Sequence, residues 1–311
     1  MQSADMMIAG DRPRAITSAA ERRRSPLNVL LWLLLAPSII GLALFCYGPI
    51  VQVLVRSLQV KRFNRPAEIG LANYAALVGD DRFLTALANT AYYAAGTIIP
   101  SLALALLFAM ALREANWLTS AVRTLLVLPM MVPLVAAAAL FTFIFLPGAG
   151  LIDHYLLPLG LGSANWLGDP ALAMPAIIAI TIWKNTGYYM LFFLAGLAAV
   201  PEEQVDAARI EGANAWQRFR YVILPLLGPT VGFVSVIALI NALVQVDHVL
   251  VMTGGGPADA TNLLLSYIYQ TAQQNLDVGR ASAATAVSVA LLFALATFSL
   301  RALERGIHYE S

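Results

Sequence analysis

The chain has 311 residues and a formal net charge of +1, with 59% hydrophobic and only 12% charged residues. Soluble domains carry about 25% charged residues, so this composition excludes a water-soluble globular protein and indicates a polytopic, all-α membrane protein. The small net charge gives no sign of a nucleic-acid partner. The single cysteine, Cys46, rules out an internal disulfide or a cysteine-built metal site, and His154, His248 and His308 lie too far apart in sequence to suggest a metal centre.

Residues 1–26 read as a cytoplasmic tail bearing Arg12, Arg14, Arg22, Arg23 and Arg24. The apolar run that follows, from Leu27 to about Val55, is too long for a signal peptide, and Phe45 before Cys46 does not make a lipoprotein cleavage box. A retained membrane helix is the expected element. From there the membrane domain, 27–311, is predicted to hold six spans at about 28–55, 84–111, 122–146, 172–198, 227–250 and 281–302. A mixed, amphipathic connector (56–83) follows the first span, and a tight turn (112–121) follows the second. Pro37, Pro49, Pro100, Pro129, Pro133 and Pro175 lie in or near the spans, where neighbouring helices can satisfy the carbonyls that they free.

Basic residues set the expected orientation. With both termini in the cytoplasm, the tail arginines, Arg113, Arg123, Arg209, Arg218, Arg220, Arg301 and Arg305 lie inside. Arg56, Lys61, Arg62, Arg65, Arg82 and Arg280 lie outside, most of them in the first outer loop. Asp153 and His154, in the loop at 147–171, are expected to meet water or an external binding protein.

The polar loop at 199–226 then falls in the cytoplasm. Pro201 suits a first helical position. Glu202, Glu203 and Asp206 follow in the first turns, where acids favour the positive end of the helix dipole. Gly212 suits the left-handed residue that ends a helix, and Asn214 can cap a second short helix over Ala215–Tyr221 before Leu224-Pro225 opens the fifth span. Two short helices meeting at a glycine could form a docking surface or only a solvated connector. The residues by themselves leave both open.

Polar residues also sit inside two spans. Thr181, Lys184, Asn185 and Tyr188 share one helical face, with Thr186 and Tyr189 beside them, and Asn241, Gln245 and His248 recur at i, i+4 and i+7. Such stripes can line a solute path or merely hydrogen-bond helices to one another. A buried ammonium costs on the order of 3 kcal/mol on insertion scales, so Lys184 is expected to meet an anionic solute, Asp247 or an acid of a partner subunit.

The loop at 199–226 resembles the EAA loop of ABC-importer permeases. The family pattern is EAA, three residues, G, nine residues, then I-x-L-P. Here it reads Asp206-Ala207-Ala208, Gly212 and Val222-Ile223-Leu224-Pro225, with Asp replacing Glu and Val replacing Ile. Gly70-Leu71-Ala72-Asn73-Tyr74, Asp81-Arg82-Phe83, Asn89-Thr90 and Thr253-Gly254-Gly255-Gly256-Pro257 resemble the carbohydrate-uptake branch. The Pro147–Ile152 turn and the tail from Tyr267 to Tyr309 are similar to its sn-glycerol-3-phosphate type.

The resemblance implies a six-span type I importer permease of the bacterial cytoplasmic membrane, carrying a sugar or a glycerol-phosphate compound. It implies a second homologous permease, a dimer of ATP-binding subunits that hold ATP and magnesium, and an extracytoplasmic solute-binding protein, all within membrane lipid. No cofactor, metal or catalytic residue is expected on this chain. The ATPase-coupling set would be Glu202, Glu203, Asp206, Ala207, Ala208, Gly212, Leu224 and Pro225, with Asp206 or a neighbouring Glu meeting a basic residue of the ATPase. By analogy with maltose-type members, Asn185, Tyr188 and Gln245 join Thr181, Lys184, Tyr189 and Asn241 as substrate-pathway residues. The alternative is an ion-coupled secondary transporter. That class often shows inverted repeats, which are not evident here, and it would leave the loop unexplained.

Overall fold

A computed structural model describes residues 26–60, 68–114, 116–159 and 163–304. The predicted N-tail, Lys61, Arg62, Arg65, Arg305 and His308 lie outside the described residues. The chain divides into two units at Ile50–Val51. The first unit carries α1 (Pro26–Leu42), a π turn at Ala43–Tyr47 and the start of α2 (Gly48–Leu58). Its side chains are almost all exposed, among them Leu33, Leu34, Phe45 and Cys46, as befits an apolar helix whose solvent is lipid.

The second unit is a helical bundle. The connector after the first span is more structured than its sequence suggests. Two short antiparallel strands, β1 (Gln59–Val60) and β2 (Glu68–Ile69), pair Gln59 with Ile69 and Val60 with Glu68. The short helix α3 (Ala72–Val78) follows, and Asp80 caps α4 (Asp81–Ala111) by accepting from the N–H groups of Arg82 and Phe83. The hairpin is too small to change the all-α class.

The predicted third span is two helices. α5 (Trp117–Met131) and α6 (Leu134–Ile144) meet at a bend of 98°. Pro133 causes the break, since it lacks an N–H and forces Val132 out of the helical region, to φ −73° and ψ 129°. The remaining helices are α7 (Leu151–Leu156), α8 (Pro170–Ala198), α9 (Glu202–Ile210), α10 (Ala215–Arg218), α11 (Leu224–Leu226), α12 (Gly228–Val244), α13 (Asp247–Met252), α14 (Leu264–Gln273) and α15 (Val278–Glu304). Five runs among the described residues are long and apolar enough to cross a membrane, and the bent pair makes a sixth when taken as one crossing.

α8 is the axis of the bundle, buried on most of its circumference against α4, α5 and α12. Its approach to α5 is so close that a Cβ on Gly187 would fall 1.8 Å from the carbonyl oxygen of Leu126. α4 supplies a packing face of small residues, Ala86, Thr90, Thr97, Ser101, Ala105 and Ala109, all buried, which lets helices approach where lipid provides no hydrophobic drive.

At the end of the bundle remote from α9, polar groups lock the termini together. Arg82 forms a two-pronged pair with Asp259 at 2.8 and 3.1 Å. The amide of Asn89 donates to the carbonyls of Asp259 and Asn262, and Tyr267 donates to Asp80 at 2.7 Å, with Arg280 at 3.4 Å. Burial opposes ionisation of Asp80. The Tyr267 hydroxyl, two backbone N–H groups and Arg280 outweigh it and hold the carboxyl below the usual range. Tyr267 is pushed up to about 12 by burial and by the same carboxylate.

Asp153 is also structural, which corrects its expected outward role. It is buried and accepts from Gly148 N–H and the Ser163 hydroxyl. The Ser163 bond, followed by the Gly148 bond, keeps its carboxyl below the usual range.

Two predictions follow from this packing. Gly187→Ala should destabilise the subunit by about 1–3 kcal/mol or more through overpacking against backbone, read as a lower thermal-unfolding midpoint in detergent. The contribution of Asp80 is fully present above the unfolded carboxyl value of 3.8 and is lost as pH falls through its depressed folded value. The midpoint of Asp80→Asn should therefore start lower at neutral pH and change less than the wild type below that value. Parallel curves for the two proteins would refute the role.

Candidate functional site: a coupling-type loop and a polar seam

The loop between α8 and α12 is built much as its sequence reads. Pro201 is the N-cap of α9, one residue earlier than expected, with φ −62° and ψ 124°. Glu202 and Glu203 occupy the first turn and Arg209 the last. Gly212, at φ +86°, takes the left-handed conformation that ends the helix. The N–H groups of Gly212 and Ala213 return to the carbonyls of Arg209 and Ala208.

Asn214 and Gln217 then form a reciprocal capping box at 2.9 and 2.8 Å, and Arg218 closes the turn onto Ala213 O at 2.7 Å. The second helix is shorter than predicted. α10 stops at Arg218 and continues as a π turn, Phe219–Ile223, before Leu224-Pro225 opens α11.

One side of this loop is anchored and the other is open. Val205, Phe219 and Ile223 pack with Leu197, Val200 and Leu227 in the core, whereas Ile210, Trp216 and Tyr221 are 87%, 68% and 74% exposed. Ala207 and Pro225 are exposed, and Ala208 and Leu224 are half-buried. Asp206 pairs with Arg209 at 2.9 Å across an exposed surface, and Glu202 lies 3.9 Å from Arg113. Glu203 makes no ion pair among the described residues. Exposed pairs of this kind are weak and easily exchanged. Arg123 fixes the neighbouring end of α4 by donating to the carbonyls of Leu112, Arg113 and Glu114.

The polar residues of the spans are more deeply placed than a solute path requires. Thr181 bonds Tyr93 at 2.9 Å, and Tyr93 bonds His248 at 3.0 Å, joining α4, α8 and α13 in one buried cluster. Asn241 donates to the hydroxyl of Tyr189 at 3.2 Å. Asn185 shares a void of about 10 Å³ with Thr97, Ser101, Thr181 and Tyr189, room for about one water. Tyr188, Asn241 and Gln245 keep part of their surface exposed, while Thr181, Asn185 and Tyr189 are buried.

The expected single face of Asn241, Gln245 and His248 is not continuous. The fifth span breaks at Gln245 and Val246, where Gln245 has φ −81° and ψ 99°. Tyr93 and the Thr97–Ser101 side of the seam were not singled out from sequence. The recurrence of Thr and Ser among alanines at helical spacing on α4 was the available signal.

Lys184 requires a correction. Its ammonium donates to the carbonyls of Pro129, Met130 and Val132 at 3.2, 3.2 and 2.5 Å, and the residue is only 7% exposed. It meets neither Asp247 nor an open cavity. The 98° break interrupts the helical ladder here, leaving Pro129 O only a 3.3 Å bond from the N–H of Val132, and Lys184 supplies a donor to all three carbonyls from α8. Lys184→Met should remove these three bonds, leave the buried carbonyls under-satisfied and cost about 1–3 kcal/mol. Uptake of anionic and neutral solutes should fall by the same factor, tracking the amount of folded protein. A loss confined to anionic solutes would restore a direct solute role.

Comparison with known proteins places this architecture. Residues 101–309 match the family described as the binding-protein-dependent transport system inner membrane component. The sn-glycerol-3-phosphate transport system permease protein UgpA of Agrobacterium fabrum (strain C58 / ATCC 33970) is 33% identical over 291 residues, covering 91% of this chain and 98% of that protein. The UgpA of Yersinia enterocolitica serotype O:8 is 34% identical over 286 residues, covering 90% and 95%. A chain of a bacterial alginate ABC transporter, solved in complex with an alginate pentasaccharide-bound periplasmic protein, superposes with a TM-score of 0.78 at 24% identity, covering 88% of this chain and 93% of that one. A bacterial ABC transporter involved in the import of alginate gives 0.79, again at 24% identity; these two likenesses bear on the fold alone. On the matched family and the full-length relatives, the chain belongs to the binding-protein-dependent inner membrane components and is a multi-pass transport subunit, an ABC-importer permease.

Proposed function

We propose that this permease forms half of the membrane path of an importer for a polyhydroxylated solute of the sugar or sn-glycerol-3-phosphate class. The full-length similarity to UgpA proteins supports that class. The observation that carries the coupling half of the reading is the loop built on α9 and α10. It is anchored inward by Val205, Phe219 and Ile223 and presents Ile210, Trp216 and Tyr221 outward. An exposed apolar set ringed by exchangeable charges suits a groove on another subunit.

In this reading a pair of ATP-hydrolysing subunits, which would hold ATP and magnesium, grips residues 201–225 from the cytoplasm, and both termini lie on that side. Glu203 has its carboxylate available, and Asp206 can exchange Arg209 for a basic group of the ATPase. A second permease chain completes the path, and a solute-binding protein delivers at the opposite face. Closure of the ATPase pair moves the loop, and the inward anchors pass the motion to α4 and α8. Tyr188, Asn241 and Gln245 are assigned to the solute path, with Thr181, Asn185 and Tyr189 supporting them from within. Lys184 is a structural staple.

Uptake by the reconstituted complex should require both ATP and the binding protein, and uptake driven by an ion gradient alone would support a secondary transporter instead. Gly212→Val tests the loop. No neighbouring atom lies within 4 Å of its Cβ position, so the cost is backbone strain in the left-handed region. The variant should insert and fold yet co-purify with much less ATPase. Normal ATPase recovery with full coupling would overturn the docking role.

A further inference from the structure

At the end of the bundle opposite the coupling loop, the last turn of the first span and the first turn of the sixth span face one cavity of about 630 Å³. Arg56 comes from α2 and Arg280 from α15. Gln59, Asn73 and Asn275 add polar groups, and Asp277 is the only carboxylate in the lining among the described residues. With Asp80 reaching Arg280 from just outside the lining, both carboxylates fall on Arg280, and the uncompensated positive charge of the cavity sits at Arg56. Arg280 is already engaged by Asp80 and Asp277 at 3.4 and 3.5 Å, whereas Arg56 has no ion pair among the described residues.

Asn73 is held in place by donating to the carbonyls of Ser57 and Gln59 at 2.8 and 3.1 Å, so the floor of the cavity is ordered before any ligand arrives. The border is aliphatic. Leu276 is 77% exposed and Val278 37%, and Leu71, next to the lining residue Ala72, is 68% exposed.

We propose that this cavity binds the headgroup of an anionic glycerophospholipid. Both arginines belong to the terminal turns of membrane spans, which places them at the level of the bilayer's phosphates. A guanidinium matches a phosphodiester in shape and charge. The amides of Asn275 and Gln59 suit the hydroxyls of a glycerol headgroup, and the exposed aliphatic border suits the start of acyl chains. A soluble phosphate would use the arginines but leave that border in water. The proposal uses the ends of the first and sixth spans with the β1 and α3 segment between them and is independent of the solute carried.

The test is native mass spectrometry of the subunit purified in its transporter complex, with phosphatidylglycerol or phosphatidylcholine added to the detergent. Wild-type protein should retain phosphatidylglycerol in preference to phosphatidylcholine. Arg56→Gln should lower phosphatidylglycerol retention by about tenfold, the scale of losing one charge-assisted contact. Arg56→Lys should lose less. Asn275→Asp, at an exposed position, adds a negative charge to the rim and should weaken retention without unfolding the protein. Undiminished phosphatidylglycerol retention in Arg56→Gln and Asn275→Asp would overturn the site, as would equal retention of phosphatidylcholine by the wild type. Displacement of the lipid by glycerol 1-phosphate at matching concentration would show a soluble-phosphate site and overturn the lipid assignment.

Discussion

A broken helix inside a membrane frees backbone carbonyls where no water can reach them, and each must find a donor within the protein. The break between α5 and α6 sets this requirement, and Lys184 meets it with three bonds from one ammonium. The same helix brings Gly187 against the backbone of Leu126 one turn further on. The two contacts fix α5 to α8, one by hydrogen bonding and the other by the absence of a side chain. With α5 in place, the remaining faces of α8 are free to pack on α4 and α12 and to carry the Thr181–Tyr93–His248 cluster.

The two ends of the bundle use charge differently. At the end remote from the loop, Arg82, Asp259, Asn89, Tyr267, Asp80 and Arg280 interlock elements far apart in sequence, with several groups part-buried. Such a network resists rearrangement, because removing one member leaves the others poorly satisfied. At the loop end the pairs are local or long and lie in solvent. They hold little energy and can be exchanged for contacts with another protein. A rigid far end and an exchangeable near end suit a subunit pulled from one side.

Local signals were legible in the sequence wherever short-range chemistry decides the outcome. Proline, early acids, Gly212 and Asn214 mark the loop in the order in which the chain uses them, and they were read correctly to within a residue at Pro201. The spans were legible from hydropathy, because lipid enforces it over whole helices. The 98° bend was not, although Pro133 stood in view. A proline shows where a helix can break, and only tertiary contacts decide whether it merely kinks. The role of Lys184 was illegible for the same reason, since its partners lie more than fifty residues earlier in the chain and are backbone atoms without sequence identity. Helical spacing correctly grouped Thr181 and Asn185 on one face. It could not show whether that face looks into the subunit or out of it.

That inward direction bears on how anything crosses. The seam around Asn185 encloses about 10 Å³, room for about one water, and a sugar ring is several times larger than that. Within the seam itself there is no duct to open or close. In the proposed importer a solute therefore passes along the outside of this part of the subunit, against a wall that a second permease chain completes. The buried polar groups then act like the stiffening ribs of a door, keeping its shape while it swings.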